Sequence, residues 1–131
     1  MTKTHRLWNQ PLPNSQAHLG AGAIFQGHIY LVNTAGIAEC FELESGKTIW
    51  TERLPATGSL GASWSSPVLA GDHLYIPNRS ADVFVLKAAP KFELLSVNSI
   101  GGELMNASLA VSDGDIFIRT DKNLWCIGSS P

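Results

Sequence analysis

The feature that most constrains this sequence is a short segment that occurs three times. Similar seven-residue segments run over 27–33, 72–78 and 114–120, and their fourth residues are Tyr30, Tyr75 and Phe117. The aromatic residue therefore recurs after 45 and then 42 residues. A period of this length is typical of repeat architectures, in which one supersecondary unit is copied along the chain. The repeat restricts the fold to three copies of one unit.

Each copy reads as a set of short strands separated by turns. A small-residue strand precedes each segment, at 22–25, 66–69 and 108–111, and a third strand follows, at 38–41, 83–86 and 124–127. Turns built on Gly27, Gly71 and Gly114 separate the first two strands, as hairpins require. A fourth strand is expected at 46–55 and, more weakly, at 91–97. These strands lack a 3.6-residue apolar rhythm, so the pattern predicts an all-β propeller with three four-stranded antiparallel blades.

The fourth strand of the third repeat is expected at the start of the chain. Residues 5–13 match 48–55, and Trp8 precedes Trp50 by 42 residues, which is one repeat. We therefore predict a single propeller domain over 1–131. Its parts are an outer strand at 1–13 that completes the last blade, blade one at 14–55, blade two at 56–100 and blade three at 101–131.

Three blades form an arc, whereas propeller rings contain about 4 to 8 blades. Each end of the arc would expose an apolar sheet face larger than a soluble monomer normally tolerates. The pattern therefore predicts a homodimer in which two arcs close a six-bladed ring, because a trimer would give nine blades. In that ring the Trp8 strand would be exchanged and would complete blade three of the partner. The alternative is that the chain is part of a longer propeller.

The run 41–50, which contains Gly46, Lys47 and Trp50, resembles the blade motif of quinoprotein-like propellers, also called pyrroloquinoline-quinone-type repeats. In that motif a small acidic turn, Gly-Lys and a Trp follow the third strand. The resemblance implies that Trp8, Gly46, Lys47 and Trp50 form the structural motif of the blades. Blade two departs from it, because 88–92 stands where the Gly-Lys-x-x-Trp turn belongs.

The family includes quinone-dependent dehydrogenases and cofactor-free scaffolds such as the lipoprotein of the outer-membrane assembly machinery. The sequence has no adjacent cysteine pair and no Glu/Asn/Asp set that matches the dehydrogenase ligands. It also lacks a Ser/His/Asp or Cys/His arrangement and a phosphate-binding glycine loop. We therefore expect a non-catalytic scaffold or binding module without a cofactor or a metal. The alternative is a fragment of a quinone-dependent dehydrogenase or of a cofactor-free assembly protein.

If the propeller binds a ligand, the loops on one rim of the blades are the expected place, because loops on a rigid scaffold usually carry function. The candidate rim residues are Trp64, Arg79, Asp82, Arg119 and Asp121. Trp64 could offer an aromatic face to a peptide or a sugar, so the expected ligand is a protein or a carbohydrate. Packing between blades is the competing interpretation of Trp64.

Charge and hydropathy exclude several classes of partner. The formal net charge is -2, so no basic surface for nucleic acid or anionic lipid is expected. No apolar run approaches the length of a membrane span, and the first residues do not form a signal peptide. As written, the chain is expected to be soluble and cytoplasmic, although members of the resembled family are often periplasmic. Cys40 and Cys126 occupy equivalent third strands and are expected to be small buried side chains.

Overall fold

The computed structural model describes residues 5–12, 17–55 and 61–129, and within them the chain forms eleven β-strands and no helix. In chain order the strands are β1 (Ala23–Phe25), β2 (His28–Val32), β3 (Ile37–Glu42), β4 (Thr48–Arg53), β5 (Val68–Ala70), β6 (His73–Pro77), β7 (Asp82–Lys87), β8 (Leu94–Ser99), β9 (Ala110–Ser112), β10 (Asp115–Arg119) and β11 (Leu124–Ile127).

The strands form three antiparallel sheets, one for each repeat. Blade one has the order β1-β2-β3-β4 and blade two the order β5-β6-β7-β8. Blade three contains β9, β10 and β11, and no fourth strand pairs with it among the described residues. The all-β blade architecture predicted from the repeat is confirmed, while the four-stranded prediction is met in two of the three described sheets.

The hairpin turns explain the glycines that follow the first strands of blades one and three. Gly27 and Gly114 have φ angles of 77° and 87°, and the residues before them, Gln26 and Asp113, are also at positive φ. Two successive positive φ angles define the type I′ turn, whose twist matches that of a two-stranded hairpin. The turn chemistry therefore fixes the pairing of the first two strands in blades one and three.

Apolar side chains from adjacent blades meet in a core at each junction. The junction of blades one and two contains the buried residues Tyr30, Ala38, Cys40, Leu54, Leu74, Ile76, Phe84 and Leu86. The junction of blades two and three contains Val83, Met105, Leu109 and Ile118, with Tyr75 and Ile116 packed against them. Because strand side chains alternate between faces, blade two, the middle blade, has one face in each core.

Serine side chains connect the innermost segments of the three blades. The Ala21 backbone N–H donates to Ser66 Oγ at 2.8 Å, and the Ser66 N–H donates to Ser108 Oγ at 2.9 Å. These residues precede the first strand of each blade, so the same bond is made at both junctions. The serines ahead of the first strands of blades two and three therefore hold each of these blades to the blade before it.

The N-terminal segment differs from the simplest sequence expectation. Residues 5–12 form no strand in the single chain and lie against blade one through Trp8. The outer strand predicted at 1–13 would pair with β11, which lies at the opposite end of the arc. The remaining residues of that predicted strand, 1–4 and 13, lie outside the described part of the chain.

Candidate functional site

Trp50 connects blade one to blade two. Its indole Nε1 donates to the Ala89 carbonyl oxygen in the β7–β8 turn at 3.1 Å. The ring lies edge-on to Phe92 at a centroid distance of 5.3 Å and tilted against Tyr30 at 6.2 Å. Aromatic pairs in these geometries add to the energy of apolar burial. The Trp of the blade motif is thus a contact between blades.

Trp8 makes the corresponding contact with blade one. Its indole Nε1 donates to the Leu43 carbonyl oxygen in the β3–β4 turn at 3.0 Å. The ring lies over Gly46, where an added Cβ would be 2.6 Å from the indole. Lys47 contributes through its backbone, since its carbonyl accepts from the Glu42 N–H at 2.8 Å. The structure therefore brings Trp8, Gly46 and Lys47 together in one turn and places Trp50 at the next junction.

We expect Gly46→Ala to destabilise the chain more than Gly27→Ala. Both glycines have positive φ, at 74° and 77°, but a Cβ at Gly27 meets no atom within 4 Å. The conformational cost alone is about 1 kcal/mol in each case, and the alanine at position 46 must also displace Trp8. Urea unfolding of both variants measures the difference. A Trp8→Ala background should remove it, and equal losses at the two glycines would contradict the assigned contact.

Polar side chains fix the turn between the second and third strands of every blade. Asn33 Oδ1 accepts from the backbone N–H groups of Ala35 and Ile37, at 3.0 and 3.1 Å. Asn78 repeats this pattern in blade two, and in blade three the Thr120 hydroxyl oxygen accepts from the Asn123 N–H. Such turns place neighbouring residues at fixed positions on the rim.

Asp82 is a structural residue of this turn. It is fully buried, and its carboxylate accepts from Asn78 Nδ2 at 2.9 Å. A carboxylate in this place is not available to a ligand on the rim, so the structure separates Asp82 from the other rim candidates. In blade one Ile37 takes the equivalent position, and the buried Nδ2 of Asn33 has no hydrogen-bond partner among the described residues.

Trp64 and Arg79 meet on the rim of blade two. The Arg79 guanidinium lies 4.3 Å from the Trp64 ring centroid, and its Nε donates to Asn106 Oδ1 at 3.2 Å. Trp64 is 43% exposed, so its ring is available on the rim and is not enclosed between blades. The sequence does not indicate the contact between Asn106 and Arg79, because this contact joins two different blades.

Arg119 and Asp121 lie on the rim of blade three. Arg119 is the exposed last residue of β10, and the Asp121 carboxylate accepts from the Leu104 N–H at 2.8 Å. Beside them, Glu103 accepts from the Thr120 hydroxyl, and this hydrogen bond holds the pKa of the Glu103 carboxyl below its usual value. The Asp121 and Glu103 carboxylates thus order the β10–β11 turn.

A buried polar pair in blade one was missed by sequence analysis. Glu39 on β3 is fully buried, and one of its carboxylate oxygens lies 2.6 Å from His18 Nε2. The equivalent positions on β7 and β11 are Phe84 and Trp125. A charged residue within an otherwise apolar strand is the signal that could have identified the site, but its partner is 21 residues away.

The third strands differ sharply in burial although they are equivalent. Four of the six residues of β3 and five of the six residues of β7 are buried, whereas all four residues of β11 are exposed. By strand pairing, Leu124 and Cys126 correspond to Ala38 and Cys40. Leu124 is 74% exposed, and Ala38 is buried. Cys126, which we expected to be buried, is exposed because no described blade packs on the face of blade three that carries it, whereas blade two covers Cys40.

The opposite end of the arc is also apolar and open. Ile24 on β1 is 57% exposed. Its equivalent on β5 is Leu69, which packs against the core between blades one and two. The two ends of the arc thus present the two complementary halves of a blade junction.

An apolar cleft marks the junction of blades two and three. It encloses about 130 Å³ and is lined by Tyr75, Val83, Val85, Asn98, Ser99, Ile100, Ile116, Ile118 and Ile127. Ser96 pairs with Val85 on β7 as Trp50 pairs with Cys40 on β3. Blade two therefore carries Ser96 where blade one carries Trp50.

We expect Cys40 to resist thiol reagents until the protein unfolds. Burial raises its pKa to about 11, so at pH 8 only on the order of one thiol in a thousand is a reactive thiolate. Burial likewise raises the pKa of the neighbouring Tyr30 to about 12. Alkylation followed by peptide mass analysis should label Cys126 in the single chain. Rapid labelling of Cys40 in native protein would show that the blade junction opens.

No group of three or more His, Cys, Asp or Glu side chains suited to a metal occurs in the described residues. That part of the chain also contains no helix that could span a bilayer.

Comparison with solved structures shows the same fold. BamB from Moraxella catarrhalis superposes with a TM-score of 0.72 at 13% identity, over 88% of this chain and 35% of that chain. The quinohemoprotein alcohol dehydrogenase ADHIIG from Pseudomonas putida HK5 gives 0.70 at 10% identity, over 87% of this chain and 18% of that chain. The enzyme from Comamonas testosteroni gives 0.64 at 14% identity, over 80% and 17%. The chain thus spans about a third of BamB and less than a fifth of either dehydrogenase.

No curated protein sequence matches this chain. A family model does match it: the model described as outer membrane protein assembly factor BamB covers residues 34–127. This range runs from the second-to-third strand turn of blade one to the last residue of β11. With the propeller fold and the tryptophan contacts, it confirms the predicted relationship: the chain belongs to the PQQ-repeat β-propeller family whose model is described as BamB.

Proposed function

We propose that this protein is a non-catalytic scaffold that binds other proteins through a propeller surface. The observation that supports the proposal is the pair of open apolar end faces, because an exposed apolar patch on a soluble protein usually marks a surface that contacts another protein. Ile24 and Leu124 are exposed at positions that are filled at the inner junction. The acidic rim candidates also have structural partners, since Asp82 bonds to Asn78 and Asp121 to the Leu104 backbone.

The first partner in this proposal is a second copy of the chain. The trailing face of blade three carries Leu124 and Cys126, in the places of Ala38 and Cys40, and the leading face of blade one carries Ile24, in the place of Leu69. Head-to-tail contact would therefore repeat the inner junction at both ends. Two arcs joined in this way make six blades, a number within the range of closed propellers.

A further partner would bind on the rim. Trp64, Arg79 and Asn106 form one connected group there, with Arg119 and Asp121 on the neighbouring blade. An aromatic ring and a guanidinium held in place by hydrogen bonding are side chains that commonly anchor protein interfaces. We favour a protein ligand, because the matching family model is that of an outer membrane protein assembly factor. A carbohydrate is the alternative, and a glycan array would reveal it.

A second interpretation follows from the small share of each similar protein that this chain matches. The chain corresponds to 35% of the Moraxella BamB chain and 18% of the Pseudomonas dehydrogenase chain, so the arc could be part of a longer propeller of either kind. Incubation with pyrroloquinoline quinone and calcium, followed by gel filtration, tests the dehydrogenase reading. Retention of the quinone chromophore by the protein would contradict the scaffold proposal.

Light scattering over a range of protein concentrations tests ring closure. We expect a particle of twice the 14.1 kDa chain mass. Alkylation of Cys126 should slow as the dimer forms, because the residue enters a junction like that of Cys40. A stable single-chain particle at micromolar concentration, with Cys126 still reactive, would contradict closure by a second copy.

A further inference from the structure

The contacts of Trp8 and Trp50 share one geometry. Trp50 and Trp8 each donate from Nε1 to a carbonyl oxygen in the third-to-fourth strand turn of a blade, Ala89 in one case and Leu43 in the other. Trp50 reaches its turn from β4, the outer strand of the preceding blade. Residues 5–12 therefore lie along blade one where the outer strand of a preceding blade would run.

The segment has no strand to pair with in its own position, but the third strand of blade three lacks an outer partner. In blade one, the outer strand β4 pairs with β3. Blade three has β11 in the place of β3, and its outer edge is open among the described residues. An unpaired strand edge exposes backbone donors and acceptors that readily accept another strand.

We infer that residues 5–12 of one copy form the fourth strand of blade three in a second copy, with Trp8 opposite Cys126. The inference rests on the proposed dimer and specifies how its blades are completed. The register follows from equivalence, because Trp50 pairs with Cys40 and Cys126 holds the position of Cys40. In the same register Gln10 faces Leu124, as Glu52 faces Ala38.

Each tryptophan at position 8 then contacts both copies. Its indole stays on Leu43 and Gly46 of its own blade one, while its backbone pairs with β11 of the other chain. The contact already present in the single chain thus holds the segment ready for exchange. Strand addition contributes main-chain hydrogen bonds, and the alternating side chains set the register.

A disulfide between two different chains tests the register. One chain carries Gln10→Cys and Cys126→Ser, and the other carries Leu124→Cys, Cys126→Ser and a mass tag. Both substituted positions are exposed in the single chain, and directly opposite residues on paired strands lie within reach of a disulfide. Mild oxidation of the mixture should give a covalent pair of one tagged and one untagged chain.

The matched control replaces Asn9 by cysteine in the place of Gln10. Successive strand residues point to opposite faces, so the Asn9→Cys chain should link at least about tenfold less than the Gln10→Cys chain. Light scattering on the same samples before oxidation gives the oligomeric state. Both chains keep the buried Cys40 and the tryptophan contacts.

The outcomes separate this inference from the proposed dimer. A dimer that links through Gln10→Cys supports both. If a dimer forms but the two cysteine chains link equally or not at all, strand exchange in this register is wrong while the proposed dimer stands. A monomer without links overturns both, and a light-scattering mass above that of two chains contradicts the six-bladed ring.

Discussion

Replacing Trp50 with alanine is expected to reduce the free energy of unfolding by about 3 kcal/mol, since loss of a large packed aromatic typically costs that much. The variant loses the contacts with Tyr30 and Phe92 and the hydrogen bond to the Ala89 carbonyl. These contacts join blade one to blade two, so their loss weakens the core at that junction. Urea unfolding monitored by far-ultraviolet circular dichroism measures the change.

Trp64→Ala is the control for this prediction. Trp64 is 43% exposed, and its described ring contact is with the Arg79 guanidinium. An exposed cation–π contact contributes less than about 1 kcal/mol, so the loss should be much smaller than for Trp50. A larger effect at Trp64 than at Trp50 would mean that the rim, and not the tryptophan contact, holds the blades together.

The sequence predicted the blades because their signals are local. Hairpin glycines such as Gly27 and Gly114, strand-long apolar runs and the recurring aromatic are all read within one repeat. The roles of Gly46 and Trp50 are implied by the resemblance to the blade motif of quinoprotein-like propellers and not by the repeat, because the Gly-Lys turn does not recur in blade two. These features define both the fold and the family.

The remaining features depend on contacts that a repeat does not encode. The position of Asp82 next to a turn predicts a rim residue. In the structure Asp82 is buried, and its carboxylate accepts a hydrogen bond from the buried Asn78. The contacts of Glu39 with His18 and of Arg79 with Asn106 join distant residues that occur in only one blade each. The repeat likewise assigned Trp8 to an outer strand, whereas in the single chain its indole contact forms without strand pairing.

Leu124→Glu is expected to weaken the dimer by at least about 100-fold, or about 2.7 kcal/mol. In the proposed ring Leu124 takes the position that the buried Ala38 holds between blades one and two. A carboxylate there would lose water without gaining a cation, a cost of several kcal/mol. In the single chain the same residue is 74% exposed, so the substitution should leave the fold of one copy intact. Sedimentation equilibrium measures the dissociation constant.

Leu95→Glu separates a junction effect from a general effect of charge. Leu95 is 42% exposed on β8, an outer strand that already has its partner, and ring closure does not cover it. Both variants add one negative charge to a chain whose net charge is -2, so mutual repulsion changes equally in the two dimers. A large loss at Leu124 alone locates the interface at the end of blade three. If the two substitutions weaken association to the same extent, that end face is not the interface and the arc binds its partner elsewhere.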